Sequence, residues 1–514
     1  MVSLLRSVRL LGQDAPVDIA LESGRIAAIA PAGQLPAGTG SGAAGDGVLH
    51  GDGRFVTSGL WDEHVHFGQW AQQSTRFDLG AAESAAAALD LLAAELRADA
   101  DQTDADRTRG DRASAAAGVA AGGTATPAEF VAVRARAGAW SDAITRTALD
   151  QIAGARPVVV IGGDLHGVWL NSAALTARGL PATGDGHIVE DECFALLREI
   201  DRLAPETLDA LVARAGRAAA ARGVVGIVDL EMRWSIDDWV RREASGFDLL
   251  RVEAAVYPDQ LERAIAAGHR TGDALGTGGR LRVGPLKIIT DGSLGTTTAW
   301  CCDAYPGGGH GRSLVSAGEL GALMRRATAA GLGLTIHAIG DRAGAQVLDA
   351  YAALGRGGRI EHAQLLRDED LGRFAALGVT ASVQPEHLVD DRVAMALQWP
   401  GRDRRTFPLA SLHATGAHLV LGSDAPVAPL DPWRWVQAAV LRAHAGEPAW
   451  VPEERLPVAV ALAASMRGPL RPGVGDAADL VLLDADPLRT DPAQLSATRV
   501  AATLLGGTPT HLAL

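Results

Sequence analysis

At 514 residues the chain is long enough for a large hydrophobic core and for more than one domain. Its net charge of −14 excludes a general polyanion-binding role, so we expect no nucleic-acid partner. Three cysteines cannot form a disulfide framework, and no uncharged apolar run reaches the ~18 residues that a membrane helix needs. Charged residues also interrupt the N-terminal apolar stretch, which argues against a signal peptide. The sequence therefore predicts a cytoplasmic protein with no membrane partner.

The two ends of the chain resemble each other in composition. Residues 1–55 contain short strand-like pieces, such as VDIALESGRIAAIAP, separated by Gly- and Pro-rich turns. Similar pieces return in residues 470–514, for example DAADLVLLDADP. Because chain termini commonly lie close together, we predict one small β-sandwich domain built from both ends.

Between these ends, apolar strand candidates alternate with helical stretches rich in Ala, Leu and Arg. This alternation is typical of βα units with a parallel sheet, and eight such units close a barrel. For residues 56–469 the predicted fold class is therefore α/β, a (β/α)8 TIM-like barrel. The predicted strands are the run ending in GLWDEHVH and residues 223–231, 249–258, 282–292, 332–341, 358–366, 378–387 and 417–426.

A long insertion, residues 68–205, separates the first and second predicted barrel strands. Its stretch 83–125 is of low complexity, rich in Ala, Asp and Gly, and we expect part of it to be a mobile loop. The following segment, RPVVVIGGDLHGVWLNSAALTARGL, is typical of a strand, a turn and a helix.

Ionisable side chains are concentrated at the predicted carboxyl ends of the barrel strands, where such barrels carry their chemistry. In the first strand, His64 and His66 are two residues apart and so point to the same side. A structural hydrogen bond explains any one histidine equally well, but the joint placement at one rim indicates a site for Zn²⁺ or a related divalent metal. The set comprises His64, His66, Lys287, His337, His362 and Asp424, with Asp291 beyond Lys287.

Eight pieces of the sequence, spread over residues 50–510, carry a family resemblance. They are GLWDEHVHFG, GDLHGVWLNSAAL, LRVGPLKIITDGSLGTTTAW, TIHAIGDRAGAQVLDA, RIEHAQLL, SVQPEH, LVLGSDAPVAPLDP and VGDAADLVLLDADP. Together they resemble the amidohydrolase superfamily, and within it the family-3 branch of YtcJ-like and N-substituted formamide deformylase-like metal-dependent hydrolases. The resemblance implies one or two divalent metal ions at the barrel mouth, with Zn²⁺ as the expected metal.

The resemblance also implies a role for each candidate ligand. In such enzymes the first-strand histidines and the eighth-strand aspartate hold one metal, which would assign His64, His66 and Asp424 to the inner ion. Histidines of strands five and six hold a second, which would assign His337 and His362 to the outer ion.

Two residues compete for the position that bridges the two ions. Relatives often use a carboxylated lysine on strand four, which would be Lys287, although a salt bridge to Asp291 is the structural alternative. Glu190, within the insertion, is the rival ligand, and an exposed loop acid would look the same in the sequence.

Further residues are candidates for the substrate pocket. The motif HGVWLNS either lines the pocket or marks the start of a helix, because Asn171 is a good helix cap. Asp341 and Arg342 either contact substrate or pair with each other. The candidates are His166, Trp169, Asn171, Asp291, Asp341, Arg342 and Gln384.

The expected reaction is hydrolysis of a C–N bond in a small-molecule amide, formamide or N-acyl compound by metal-activated water. Metal binding lowers the pKa of water from 15.7 towards about 7, and Asp424 is the expected acid–base residue.

Two alternatives stay open. One is a heterocycle deaminase on the same barrel, although Gly340 and Asp341 stand where such deaminases tend to carry a glutamate. The other is a non-catalytic scaffold. The oligomeric state is open as well, with a homodimer as one option.

Overall fold

The structure is a computed structural model, and the residues it describes are 1–36, 47–99, 128–182, 184–443 and 446–514. Two compact units are present. The barrel unit comprises Met1–Ala71, Leu203–Gly292 and Thr297–Leu514, and the insertion unit comprises Gln72–Arg202 and Ser293–Thr296. Of the stretch for which we expect a mobile loop, residues 100–125 lie outside the described residues.

Strands and helices are numbered in chain order. The strands are β1 (Leu4–Leu10), β2 (Val17–Glu22), β3 (Arg25–Pro31), β4 (Val48–His50), β5 (Phe55–Ser58), β6 (Leu60–Val65), β7 (Phe77–Asp78), β8 (Phe130–Ala135), β9 (Val158–Gly162), β10 (Gly167–Leu170), β11 (His187–Val189), β12 (Val224–Asp229), β13 (Arg251–Val256), β14 (Ala274–Leu275), β15 (Leu281–Ile289), β16 (Leu334–Ala338), β17 (Arg359–His362), β18 (Thr380–Val383), β19 (Leu419–Leu421), β20 (Leu480–Leu483), β21 (Val500–Leu505) and β22 (Thr508–Leu512). The helices are α1 (Phe67–Gln73), α2 (residues 85–99), α3 (Arg146–Ala153), α4 (Ser172–Ala177), α5 (Glu190–Ile200), α6 (Pro205–Ala220), α7 (Ile236–Ala244), α8 (Leu261–Ala266), α9 (Ala317–Ala329), α10 (Asp341–Leu354), α11 (Asp368–Leu377), α12 (Pro385–Asp390), α13 (Arg392–Gln398), α14 (Leu409–Ala414), α15 (Pro432–Leu441) and α16 (Val458–Ala463).

Eight parallel strands form the barrel, in the order β6, β12, β13, β15, β16, β17, β18 and β19. They correspond to the eight strands predicted from the sequence, so the predicted TIM-like barrel is confirmed. All six residues of β12 are buried, as expected for a strand covered on both faces. The ring closes beyond β19, where Asp424 N donates to His64 O at 2.7 Å and His66 N donates to Ala425 O at 2.8 Å.

The helices around the barrel begin and end at local sequence signals. α9 starts after Ser316, whose hydroxyl accepts from Glu319 N while the Glu319 carboxylate accepts from Ser316 N. α11 ends at Gly378, whose φ of 62° is in the left-handed region that favours glycine.

A second sheet of the barrel unit contains strands from both ends of the chain, in the order β22, β21, β20, β5, β1, β2 and β3, with β4 beside β1. Aliphatic side chains such as Leu5, Ile19, Val56 and Leu482 form its fully buried core. Arg251, in barrel strand β13, donates hydrogen bonds of 2.6 and 2.9 Å to Asp479, just before β20. This terminal sheet is thereby tied to the barrel.

The insertion unit contains a five-stranded sheet in the order β11, β10, β9, β8 and β7. The described part of the Ala-rich stretch is helix α2, since alanine has the highest helix propensity. At the start of this helix the carboxylate of Asp142 accepts from Ala85 N and Ala86 N, at 2.8 and 2.9 Å. Leu92 and Leu96 of α2 are buried in the core of the unit.

We expect replacement of Asp479 by alanine to destabilise the barrel unit by about 2 kcal/mol, since charge-assisted hydrogen bonds contribute about 1.5–3 kcal/mol. Arg251 would lose both bonds, and Gly506 N would lose its 2.7 Å bond to the same carboxylate. The shift of the urea unfolding midpoint measures the effect. Asp484→Ala is the control, because Asp484 pairs with Arg54 at an exposed site and should change the midpoint little. Equal shifts for the two variants would show that Asp479 stabilises the fold no more than an exposed ion pair does.

Candidate functional site

Six predicted ligand side chains of the barrel unit lie at the carboxyl ends of barrel strands. Parallel pairing places these ends on one rim, although the residues come from distant parts of the chain. They are His64 in β6 and His66 directly after it, Lys287 in β15, His337 in β16, His362 at the end of β17 and Asp424 after β19.

His64, His362 and Asp424 form the centre of this cluster, with candidate ligand atoms that all lie within 4.8 Å of one another. Asp424 Oδ1 is 3.2 Å from His64 Nε2 and 3.4 Å from His66 Nε2. Imidazole nitrogens around a carboxylate are a donor set that suits Zn²⁺ and related divalent ions.

His337 lies directly beside this centre. Its ring is 4.4 Å from that of His362, centroid to centroid, in an edge-to-face arrangement. Its Nε2 atom is 3.4 Å from Asp291 Oδ1. The two residues predicted to hold an outer ion are thus neighbours, and their assignment to a second ion stays a prediction.

Lys287 is the single lysine of the chain, since the other 46 of the 47 basic residues are arginines. It is 2% exposed, and its Nζ atom is 3.5 Å from His64 Nε2. Burial lowers the pKa of Lys287 to about 8, although Glu361 and Asp424 oppose the shift. An arginine at this position would stay charged and could not act as an amine nucleophile.

Two of the candidate ligands have an unusual backbone conformation. His362 has a φ of 69° and Asp424 a φ of 56°, in the left-handed region that residues other than glycine rarely occupy. Such strain persists only where the surrounding structure imposes it, and it is concentrated at functional sites.

The protonation states of the cluster also suit a cation. Burial, reinforced by nearby His337, holds the pKa of His362 well below its usual value. Burial alone would raise the pKa of Asp424, but His64 and His66 outweigh it and hold that pKa well below the usual range. The cluster therefore offers a neutral imidazole and an ionised carboxylate, the forms that bind metals.

Unpartnered nitrogen atoms provide an independent test of whether the site fits a metal. Among the described residues, the buried Nδ1 atoms of His66 and His362 have no hydrogen-bond partner. A buried polar atom without a partner is costly and calls for an explanation. Together with the donor set, these atoms show that the residues present fit a divalent cation.

Sequence reasoning did not single out two residues of this cluster. Glu361 is fully buried, and its Oε2 atom is 2.7 Å from His64 Nδ1. His387 lies at the start of α12 with Nε2 3.7 Å from Asp424 Oδ2, and its ring is 5.9 Å from that of His362. Both belong to motifs that carry the family resemblance, RIEHAQLL and SVQPEH, and this membership was the available signal.

Gln384 and Asp291 were predicted to bind substrate. Gln384 follows β18, is buried, and places its Nε2 atom 3.1 Å from His64 Nδ1. The carboxylate of Asp291 accepts backbone hydrogen bonds from Ile339 N and Gly340 N, at 3.1 and 2.8 Å, so it anchors the loop after β16. The contacts of Asp291 favour a positioning role, and its contact with substrate stays a prediction.

Asp341 and Arg342 do not pair with each other in the described contacts. Asp341 accepts from Cys302 N at 2.8 Å and forms a salt bridge with Arg405. The guanidinium of Arg342 lies 4.7 Å from the centre of the Trp300 ring. Arg342 is exposed, and its role in substrate binding stays a prediction.

Four further candidates belong to the insertion unit. His166 Nδ1 is 2.9 Å from Glu190 Oε2, and Thr296 donates to Glu190 Oε1 at 3.0 Å. Glu190 is completely buried, so the exposed loop acid considered from the sequence is wrong. Its role as a metal ligand stays a prediction.

Asn171 caps helix α4, which was the alternative to a role in the substrate pocket. Its Oδ1 atom accepts from Ala174 N at 2.9 Å and from Val158 N at 3.0 Å. Trp169 stacks on His187 with ring centroids 4.3 Å apart. These contacts explain both residues structurally, and their contact with substrate stays a prediction.

Comparison with known proteins identifies the family to which this arrangement belongs. The model of the amidohydrolase family matches residues 51–511. The chain belongs to the amidohydrolase family. Relatives of this amidohydrolase include the putative amidohydrolase YtcJ of Bacillus subtilis, 28% identical over 71% of this chain and 76% of the relative. An N-substituted formamide deformylase of Arthrobacter pascens is 29% identical over 38% of this chain and 40% of the relative.

A solved structure shows the same fold as this amidohydrolase. It is an uncharacterized metal-dependent hydrolase from Pyrococcus horikoshii, with a TM-score of 0.73 and 22% identity over 95% of this chain and 98% of that one. Within the described residues, no helix combines the length and the apolar character that crossing a membrane requires.

If this cluster holds a divalent ion, His362→Asn should weaken Zn²⁺ binding at least tenfold, because one nitrogen donor is lost. Competition with a chromophoric chelator measures the affinity. His418→Asn is the matched control, since His418 is exposed and the one described hydrogen bond of its side chain is with Thr380 Oγ1, at 3.3 Å. Equal affinities in both variants would contradict the assignment of His362 as a ligand.

Proposed function

We propose that this protein is a metal-dependent hydrolase that cleaves a C–N bond in a small-molecule amide, formamide or N-acyl compound. The observation that carries the proposal is the convergence of His64, His362 and Asp424 within 4.8 Å at the carboxyl end of an amidohydrolase barrel. The name of the A. pascens relative, a deformylase of N-substituted formamides, supports this bond type.

The proposed ligands are His64, His66 and Asp424 for an inner ion and His337 and His362 for an outer one. A divalent ion bound there, with Zn²⁺ preferred by the nitrogen-rich donors, supplies Lewis acidity for water and for the carbonyl oxygen.

Asp424 is the proposed acid–base residue. Its carboxylate is ionised and has His387 Nε2 3.7 Å from Oδ2. One carboxylate oxygen takes the proton of the attacking water and later delivers it to the nitrogen of the leaving amine, so that the C–N bond breaks without release of an amide anion.

Lys287 is the proposed bridge, in carboxylated form. The ammonium group first loses one proton, and the neutral amine then adds CO₂ and releases a second, which turns a buried cation beside His64 into an anionic oxygen donor. The use of arginine at every other basic position supports this proposal, because a lysine amine can undergo the reaction and a guanidinium, which stays charged, cannot. Glu190 remains the rival bridge.

The alternative function, deamination of a heterocycle, would favour a glutamate shortly after His337, and the chain has none there. Asp341, the acid found there, is held by Cys302 N and Arg405. A non-catalytic scaffold would have no need to keep neutral imidazoles and an ionised carboxylate together. Hydrolysis of a small-molecule amide is therefore the function that we propose, in a cytoplasmic protein.

The activity should appear in a panel of N-formyl, N-acyl and cyclic amides assayed with Zn²⁺-loaded protein. Chelation should abolish it, and Asp424→Asn should lower kcat/KM by at least about 10²-fold, the lower range for general acid–base catalysis. Asp349→Asn, at an exposed position on α10, is the control for loss of a carboxylate. Ammonia release from heterocyclic amines alone, or near-normal turnover by Asp424→Asn, would overturn the proposal.

The single lysine allows a direct test of its carboxylation. Under ¹³CO₂, the wild-type protein should show a carbamate resonance that is missing in Lys287→Arg, while the N-terminal amine is common to both. In Lys287→Ala, added formate or acetate should restore metal content and activity, because a small carboxylate can occupy the vacated space. Identical carbamate spectra for wild type and Lys287→Arg would eliminate Lys287 as the bridge and favour Glu190.

A further inference from the structure

Glu361 contacts a candidate ligand with one carboxylate oxygen and residues of the barrel interior with the other. It lies in β17, directly before His362, and is completely buried. One of its carboxylate oxygens, Oε2, is 2.7 Å from His64 Nδ1. The other, Oε1, accepts from Arg359 Nε at 3.1 Å and from the hydroxyl of Thr335.

The contact with Glu361 determines which nitrogen of His64 carries the hydrogen. A carboxylate only accepts hydrogen bonds, so a neutral His64 that keeps this contact carries its hydrogen on Nδ1. The lone pair is then on Nε2, the atom that lies 3.2 Å from Asp424 Oδ1 and 3.5 Å from Lys287 Nζ. Glu361 thus selects the tautomer that can donate to a metal on the ligand side.

Glu361 is itself held by a chain of charged side chains that begins in the barrel interior. Arg359, which contacts it, also donates to Glu63 Oε2 at 2.8 Å and to Glu63 O at 2.7 Å. Glu63 in turn accepts from Arg467 Nε at 2.7 Å, and Arg467 forms a salt bridge with Glu253. The signs alternate along this chain, so each charge is compensated and Glu361 stays anionic and fixed.

We infer that Glu361 is a positioning residue of the metal site: its carboxylate fixes the tautomer and orientation of His64, and Arg359 fixes the carboxylate. The inference rests on the proposed metal-dependent function and deepens it. Partners that hold the second nitrogen of a ligating histidine typically change metal affinity by roughly 10- to 100-fold when they are removed.

The test compares wild type, Glu361→Gln and Glu454→Gln. The glutamine variant of Glu361 keeps the shape of the side chain and one acceptor oxygen but removes the negative charge. Glu454 is the matched control: it is a buried carboxylate that accepts from Ser411 N at 2.9 Å, and it has no place in the proposed site. Zn²⁺ and Co²⁺ affinities come from chelator competition, Co²⁺ absorption spectra report ligand geometry, and thermal unfolding of the metal-free proteins reports folding.

We expect Glu361→Gln to bind both metals at least tenfold more weakly than wild type and to alter the Co²⁺ spectrum, with Glu454→Gln unchanged in both. If Glu361→Gln binds with wild-type affinity and spectrum while wild type binds metal, the inference is wrong and the proposed function stands. A folded wild-type protein that binds neither metal would overturn both. Equal losses in the two variants would show a general effect of burying an uncharged amide and would overturn the inference.

Should Glu361→Gln fail to fold, Arg359→Lys provides the second measurement. Lysine keeps the positive charge at that position but cannot reproduce the fork that reaches Glu361 and Glu63 together. Weaker metal binding with an altered Co²⁺ spectrum would support the inference, and wild-type values would overturn it.

Discussion

Asp62 joins the first and last strands of the barrel, and the geometry of the ligand cluster depends on that join. Its Oδ1 atom accepts from Ser423 N at 2.9 Å and from His64 N at 3.1 Å, and its Oδ2 atom accepts from the Ser423 hydroxyl at 2.5 Å. A Cβ atom at Gly422 would lie 2.7 Å from Asp62 Oδ1, so only glycine permits the approach. Burial raises the pKa of Asp62 to about 7, although the Ser423 bonds oppose the shift. Because this carboxylate is held on both sides, His64 and Asp424 meet although the strands that carry them are far apart in the chain.

Charged side chains of the barrel are arranged differently below the ligands and at the rim. Below the ligands, carboxylates and guanidiniums pair within the fold, as Glu63 does with Arg359 and Arg467. At the rim, neutral imidazole and ionised carboxylate remain close together, an arrangement that a cation stabilises. The insertion unit contains a carboxylate–imidazole pair of its own, His166 with Glu190. In each of the two units, therefore, a buried carboxylate lies within hydrogen-bond distance of a histidine ring nitrogen.

The barrel could be predicted because eight apolar strands alternate with amphipathic helices, a pattern set by burial alone. The rim histidines could be predicted because strand ends of a barrel converge. Glu361 could not, since its importance depends on which side of β17 faces His64, and a shift of one residue reverses that side. The anchoring role of Asp291 depends on the path of a loop, which no periodicity encodes. The status of Lys287 as the single lysine could be read directly from the composition, and it marks the site independently of any motif.

The terminal sheet has a consequence for how the protein is made. Strand β5 lies between β1 and β20, and Val56 pairs with Leu482, so one edge of β5 has its partner only after all eight barrel strands have been synthesised. An unpaired strand edge readily pairs with other chains, and large proteins are prone to aggregation at such stages. Completion of this sheet therefore waits for β20, and until that strand is synthesised this edge of β5 can pair with other chains.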